Sequence, residues 1–218
     1  MDALLAEAAE ACRVLEMMGH GDKVLGHVSL RDPDGRGFWM KRAGAALSEI
    51  VGPEDFVLID FDGHKIAGEA QRHAEWPIHG EIFRARPDVM CIGHTHPYSA
   101  GVMATIDEAL VPVTRAGAYF TPQVPRYRVT SNLIIDAGMG RGLAEALGEA
   151  DAVLMQNHGV TYCGPTIAHC VIAGVLLEQA CSAQLLANGS GYGWAPATGA
   201  GAARLHLSDD DVADAWAF

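Results

Sequence analysis

The sequence predicts a single α/β domain whose first third is antiparallel, and three observations carry that expectation. Alternating or fully apolar runs punctuated by Asp, Gly and Pro fill residues 25–68. Apolar residues recur at helical spacing over 2–18, 76–86 and 166–187. A length of 218 residues suits one core of ordinary size.

Residues 2–18 place Leu4, Ala8, Cys12 and Leu15 on one helical stripe, with Asp2 as candidate N-cap and Gly19 as stop. A strand over 25–31, a turn over 32–37 rich in Asp, Pro and Gly, and a strand over 38–40 follow. His27, Ser29 and Arg31 share one face of the first strand, which taken alone reads as the solvated side of a hairpin. Pro53-Glu54-Asp55 is a turn, 56–60 a buried strand, Asp62-Gly63 a hairpin turn and 64–68 its return. From Glu75 the period becomes helical: Trp76, His79, Ile82 and Phe83 recur, and Pro77 suits a first turn.

That helix ends near Arg86-Pro87-Asp88 and feeds the strand around which the chain is organised, Val89 to Pro97. Strand alternation sets His94 and His96 on the same side at its end. Residues 98–104 read as a short helix, and 106–131 as irregular. Leu133-Ile134-Ile135 reads as a strand, 140–150 as a helix and 152–155 as a buried strand that ends in Gln156-Asn157-His158-Gly159. A long helix covers 166–187 and stops at Asn188-Gly189. Residues 1–188 form the expected domain. Residues 189–218 are a mobile Gly/Ala-rich linker and a tail, with Ser208 capping a short acidic helix that docks on a neighbouring subunit or stays loose.

The chain has 15 Lys+Arg against 27 Asp+Glu, a net charge of -12. That balance repels phosphate backbones and anionic lipid, so nucleic acid and membrane are not expected partners. A small anionic substrate would have to meet local positive charge. Cys12, Cys91, Cys163, Cys170 and Cys181 form no CxxC pair and sit in or near apolar runs, as buried thiols of a reducing cytoplasm do. No basic N-terminal region precedes an apolar one, and the longest apolar stretch, 167–177, contains His169 and is shorter than a membrane span. The expected location is the cytoplasm.

Two histidines on one face are half of a metal site; a third histidine, His158, and a carboxylate at a helix mouth, Glu75, complete a donor set for a catalytic divalent cation. With these residues the chain resembles the class II aldolase/adducin family through five motifs in family order: Gly26-His27-Val28-Ser29-Leu30-Arg31, Glu75-Trp76-Pro77-Ile78-His79, Ala85-Arg86-Pro87-Asp88, His94-Thr95-His96-Pro97 and Asn157-His158-Gly159. The resemblance implies an αβα sandwich around a mainly antiparallel sheet, assembled as a homotetramer with active sites between subunits. It implies that His94, His96 and His158 hold zinc, manganese, iron or cobalt, and that Glu75 is the acid/base. Glu75 could otherwise serve only the helix dipole, and His79 is left as a packing or supporting residue.

Sugar-phosphate aldolases of this family hold phosphate with an Asn in the first motif, a Thr-containing turn and a serine pair before the catalytic Glu. Here those places read His27, Met40-Lys41-Arg42-Ala43-Gly44 and His73-Ala74. Imidazole and guanidinium groups suit a planar carboxylate or phenolic oxygen, as in the decarboxylase branch acting on hydroxylated aromatic or pyridine dicarboxylic acids. His73 joins Glu75 as a catalytic candidate, and His27, Ser29 and Arg72 are substrate-binding candidates; Lys41, Arg42 and Arg72 also read as ordinary surface charge. Three alternatives remain: an aldolase or epimerase on a sugar or sugar phosphate, an Fe(II) and oxygen enzyme on the same scaffold, and a non-enzymatic scaffold of the adducin type, which would predict decayed ligands.

Overall fold

Side-chain alternation along the strands sorts apolar residues to two faces, and each face acquires its own helical layer. The computed structural model describes residues 1–198 and 202–217. Strands β1 (His27–Arg31), β2 (Phe38–Lys41), β3 (Phe56–Ile59), β4 (Lys65–Ala67), β5 (Cys91–Thr95), β6 (Arg126–Tyr127), β7 (Ala152–Met155) and β8 (Gly159–Gly164) form one eight-stranded sheet in the order β4-β3-β2-β1-β5-β8-β7-β6. All neighbours are antiparallel except β6 and β7.

Val28 and Leu30 of β1 and Val160 and Tyr162 of β8 pack under helices α1 (Asp2–Leu15), α3 (Tyr98–Thr105), α4 (Arg115–Tyr119) and α6 (Ile167–Gly189). Phe38 and Met40 of β2, Ile92 of β5 and Val153 and Met155 of β7 pack under α2 (Trp76–Ala85) and α5 (Ala137–Leu147). The result is an αβα sandwich around a mixed, mainly antiparallel sheet. The second layer is close-packed: a Cβ on Gly140 of α5 would lie 2.5 Å from the Pro77 carbonyl of α2. All five cysteines are buried and unpaired.

Helix α6 is long and apolar enough, by length and composition, to cross a membrane. Here it is the central helix of its layer, with Val171, Ala173, Leu177 and Cys181 buried against the sheet side.

Several elements differ from expectation. Asp2 lies inside the first turn of α1, whose cap is Met1 with no side-chain bond. Residues 106–131 contain α4 and the edge strand β6. Residues 133–135 are not a strand: Ile134 is buried among α2 and α5, and its N–H goes to the Glu75 carboxylate instead of a ladder. The face of β1 carrying His27, Ser29 and Arg31 is not solvated, because α2 covers it; Arg31 donates to the carbonyls of Phe83, Arg86 and Val89.

The tail folds back on its own chain. Helix α7 (Asp209–Ala217) buries Val212 and rests Trp216 on the first core, while Leu205 N–H donates to the Ala118 carbonyl and Arg204 pairs with Asp151 at 2.7 Å. The expected mobile linker is tied at Ala197 and Ala202; its residues 199–201 lie outside the described residues.

Candidate metal centre and active site

Three imidazoles converge at the ends of β5 and β7. His94 closes on one side of β5 and His96 follows the strand end, so alternation brings both to the α2 face. His158 sits in the β7–β8 turn, where Asn157 takes φ 57°, a left-handed conformation that Asn tolerates better than most residues. Ring centroids are 4.9 Å apart for His94 and His96, 5.0 Å for His94 and His158, and 5.5 Å for His96 and His158.

Hydrogen bonds behind two of the rings fix which nitrogen faces inward. Thr161 Oγ1 donates to Met155 Sδ and so accepts from His94 Nδ1 at 3.1 Å. His96 Nδ1 donates to the Asp22 carboxylate at 3.2 Å. Both Nε2 atoms therefore carry lone pairs, and they face one another at 3.2 Å. Opposed lone pairs repel unless a cation lies between them, so the donor set fits a divalent metal. Burial, first among the causes, holds all three rings neutral, the state that ligates: His158 is pulled down to about 4, and His94 and His96 are lowered.

Glu75 occupies the N-cap position of α2 and is 6% exposed. Its Oε1 accepts the Ile134 N–H at 2.9 Å and lies 3.6 Å from His158 Nε2, and its Oε2 lies 3.7 Å from His27 Nε2. Burial raises its pKa, and the Ile134 bond partly offsets the rise. A buried carboxyl with a raised pKa beside a metal site is suited to take and return a proton.

A cluster of buried polar side chains continues from there. His27 is fully buried, its ring 4.9 Å from His94 and 4.5 Å from His73. His79, also fully buried, bridges His27 Nδ1 at 2.7 Å and Ser29 Oγ at 2.6 Å. Lys41 is not surface charge: it is fully buried at the end of β2, its Nζ 3.4 Å from His73 Nε2 and 3.3 Å from the Val24 carbonyl, and burial lowers its pKa to about 8. His73 is pulled down to about 4, by burial first and then Lys41.

Of the residues singled out from sequence, Glu75, His73, His27, Ser29, His94, His96 and His158 thus come together. Arg72 does not join the imidazoles: its guanidinium lies over Trp76 at 5.7 Å and donates to the His73 carbonyl. Arg42 pairs with Asp55 at 2.7 Å and has a structural role. Sequence reasoning set His79 aside, although it follows Glu75 by one helical turn, and left Lys41, a charge ending the apolar run Phe38-Trp39-Met40, balanced between surface charge and ligand contact. Asp22 and Thr161 had no signal; only the fold sets them behind the ligands.

Fold and site together define an αβα protein whose clustered His and Glu side chains fit a divalent metal. The chain belongs to the class II aldolase and adducin family: residues 6–185 match the model described as Class II Aldolase and Adducin N-terminal domain. It is 31% identical to the 3,4-dihydroxyphthalate decarboxylase of Arthrobacter keyseri over 94% of this chain and 83% of that one. It is 32% identical to the 3,4-dihydroxyphthalate decarboxylase of Rhodococcus jostii over 78% of this chain and 74% of the relative. Among solved structures, L-fuculose 1-phosphate aldolase from Glaciozyma antarctica PI12 superposes with a TM-score of 0.79 at 26% identity, covering 99% of this chain and 80% of that chain.

Proposed function

We propose that this enzyme is a metal-dependent decarboxylase of hydroxylated aromatic dicarboxylic acids. The observation that carries the proposal is Lys41: a buried ammonium with no carboxylate in ion-pair range among the described residues, beside His73 and one ring away from His27. A buried cation without a counter-charge is costly, and an anionic ligand supplies what it lacks. The two dihydroxyphthalate decarboxylase relatives support the same substrate class.

A divalent cation held by His94, His96 and His158 supplies Lewis acidity toward a substrate oxygen. Lys41 and His73 hold one carboxylate of the diacid and orient the ring. Glu75, with its raised pKa, delivers a proton to the ring carbon that bears the departing carboxylate, and the C–C bond electrons return to the ring as CO2 leaves. Burial of His27, Lys41 and Glu75 beside α2 would strengthen their electrostatic contacts to the developing charge.

The aldolase reading has one observation in its favour, the superposition on a fuculose phosphate aldolase, and an ammonium holds phosphate as well as carboxylate. The two separate experimentally. The metal-loaded protein is offered hydroxyphthalates, hydroxypyridine dicarboxylates, hydroxybenzoates and ketose 1-phosphates, and products are identified by mass. CO2 from the diacids supports the proposal; aldehyde release from a sugar phosphate without CO2 overturns it. An Fe(II) and oxygen reaction would show as oxygen uptake with substrate.

We further infer a homotetramer in the cytoplasm. The exposed apolar residues Val129, Leu133 and Ile135 flank the segment that binds Glu75 and support an interface there. Sedimentation at working concentration tests it, with a monomer as the contradicting result.

A further inference from the structure

Ser29, His79 and His27 form a chain of hydrogen bonds whose direction can be deduced. Ser29 Oγ is fully buried, and its one hydrogen-bond partner among the described residues is His79 Nδ1, at 2.6 Å. A buried hydroxyl has a single proton to place, and only His79 Nδ1 can receive it. That makes Nδ1 of His79 the acceptor and Nε2 its protonated nitrogen. His79 Nε2–H then donates to His27 Nδ1 across 2.7 Å. With Nδ1 accepting, a neutral His27 carries its proton on Nε2.

His27 Nε2 is the end of the chain. It is buried, has no hydrogen-bond partner among the described residues, and points toward Glu75 Oε2 at 3.7 Å. The opposite direction would leave the Ser29 proton unpaired in the interior and turn a His27 lone pair toward a carboxylate. Both features disfavour it.

We propose that Ser29 and His79 are positioning residues that hold His27 as its Nε2–H tautomer, which makes this imidazole a hydrogen-bond donor to an anionic substrate oxygen and not a fourth ligand of the metal. The second half rests on the pocket taking an oxyanion substrate, as the proposed function requires; the first half stands on the hydrogen bonds alone. The assignment decides between two uses of the same side chain, since His27, Glu75 and His94 also present donor atoms within 4.8 Å of one another, close enough to hold a cation. A protonated Nε2 cannot ligate. His27 is then free to bond the oxygen on which charge accumulates, where a preorganised donor contributes to rate.

The test is nitrogen NMR of the full chain, zinc-loaded and labelled at histidine, with the His27 signals assigned by comparison with His27→Gln. The expected spectrum has a directly bonded proton on His27 Nε2, an unprotonated Nδ1, and no change at His27 on zinc loading. A proton on Nδ1, or an Nε2 signal displaced on zinc loading, overturns the proposal. Titration with phthalate should move the His27 Nε2 proton downfield; saturation with no shift overturns the donor role while leaving the tautomer measured. In Ser29→Ala the tautomers should mix. Where turnover is measurable, His79→Phe should lose roughly tenfold or more in kcat/KM with zinc content unchanged, and His79→Gln, whose amide can still donate to His27, should recover most of it. Equal losses in both variants would mark His79 as structural.

Discussion

His94 and His96 present their Nε2 atoms to each other at 3.2 Å, and each ring is held in that pose from behind, His94 by Thr161 and His96 by Asp22. Such partners orient the ligand and set its tautomer, so Thr161→Val and Asp22→Asn should each weaken zinc binding by about 10–100-fold. Competition against a chromophoric chelator measures it. Unchanged affinity in both would separate these two hydrogen bonds from metal binding.

Gly159 opens β8 directly against the site. A Cβ there would meet His96 Cδ2 at 2.3 Å and the Thr95 carbonyl at 2.7 Å, and the carbonyl cannot swing aside as a flexible side chain could. Gly159→Ala should therefore displace the His96 ring, losing zinc affinity and costing roughly 1–3 kcal/mol of stability. A chelator titration with chemical unfolding checks both; native affinity would contradict the account.

Lys41 is expected to serve binding at a cost in stability. Lys41→Met replaces a buried cation, without an ion-pair partner among the described residues, with an apolar side chain of similar length, so the variant should be as stable as the parent or more so. Its KM for a diacid should rise by roughly tenfold or more, with less change for a monoacid. A variant that unfolds, or that treats diacid and monoacid alike, would place Lys41 in the structure and not in recognition.

Buried histidines make the fold sensitive to mild acid. His20 and His79 are fully buried, and burial lowers them to about 4 and about 3. Because their folded pKa lies below the unfolded value, stability is fully present above about pH 6.5 and declines as pH falls toward the folded values, by at most about 1.4 kcal/mol per pH unit for each group. Urea midpoints of the metal-free protein should be level between about pH 6.5 and 7 and fall between about pH 6.5 and 5, before most carboxylates titrate. A level midpoint across that window would contradict the burial of these rings.

Much of this was legible in the sequence because it is periodic or punctuated. Strand alternation put His94 and His96 on one side, Pro77 and the helical stripe marked the start of α2 just after Glu75, and Asn157-His158-Gly159 marked the end of a buried strand. What escaped was set by tertiary contact. Leu133-Ile134-Ile135 has the β-branched composition of a strand, yet the Ile134 N–H is recruited by Glu75. The polar side of β1 looked solvated because nothing local reveals that α2 lies over it. Lys41 read equally as surface charge or as a ligand contact, and only the assembled fold shows its ammonium buried beside His73. Arg72, favoured for the same chemistry, is drawn away by Trp76.

The central claim is that Glu75 delivers a proton to carbon in a metal-dependent decarboxylation. The most direct measurement is CO2 release from 3,4-dihydroxyphthalate by the zinc-loaded protein beside Glu75→Gln, with bound zinc determined in both. The account predicts stoichiometric CO2 from the parent and a loss of roughly a hundredfold or more in the variant at unchanged zinc content. Equal rates in the two proteins, or no CO2 from a fully loaded parent, would contradict it.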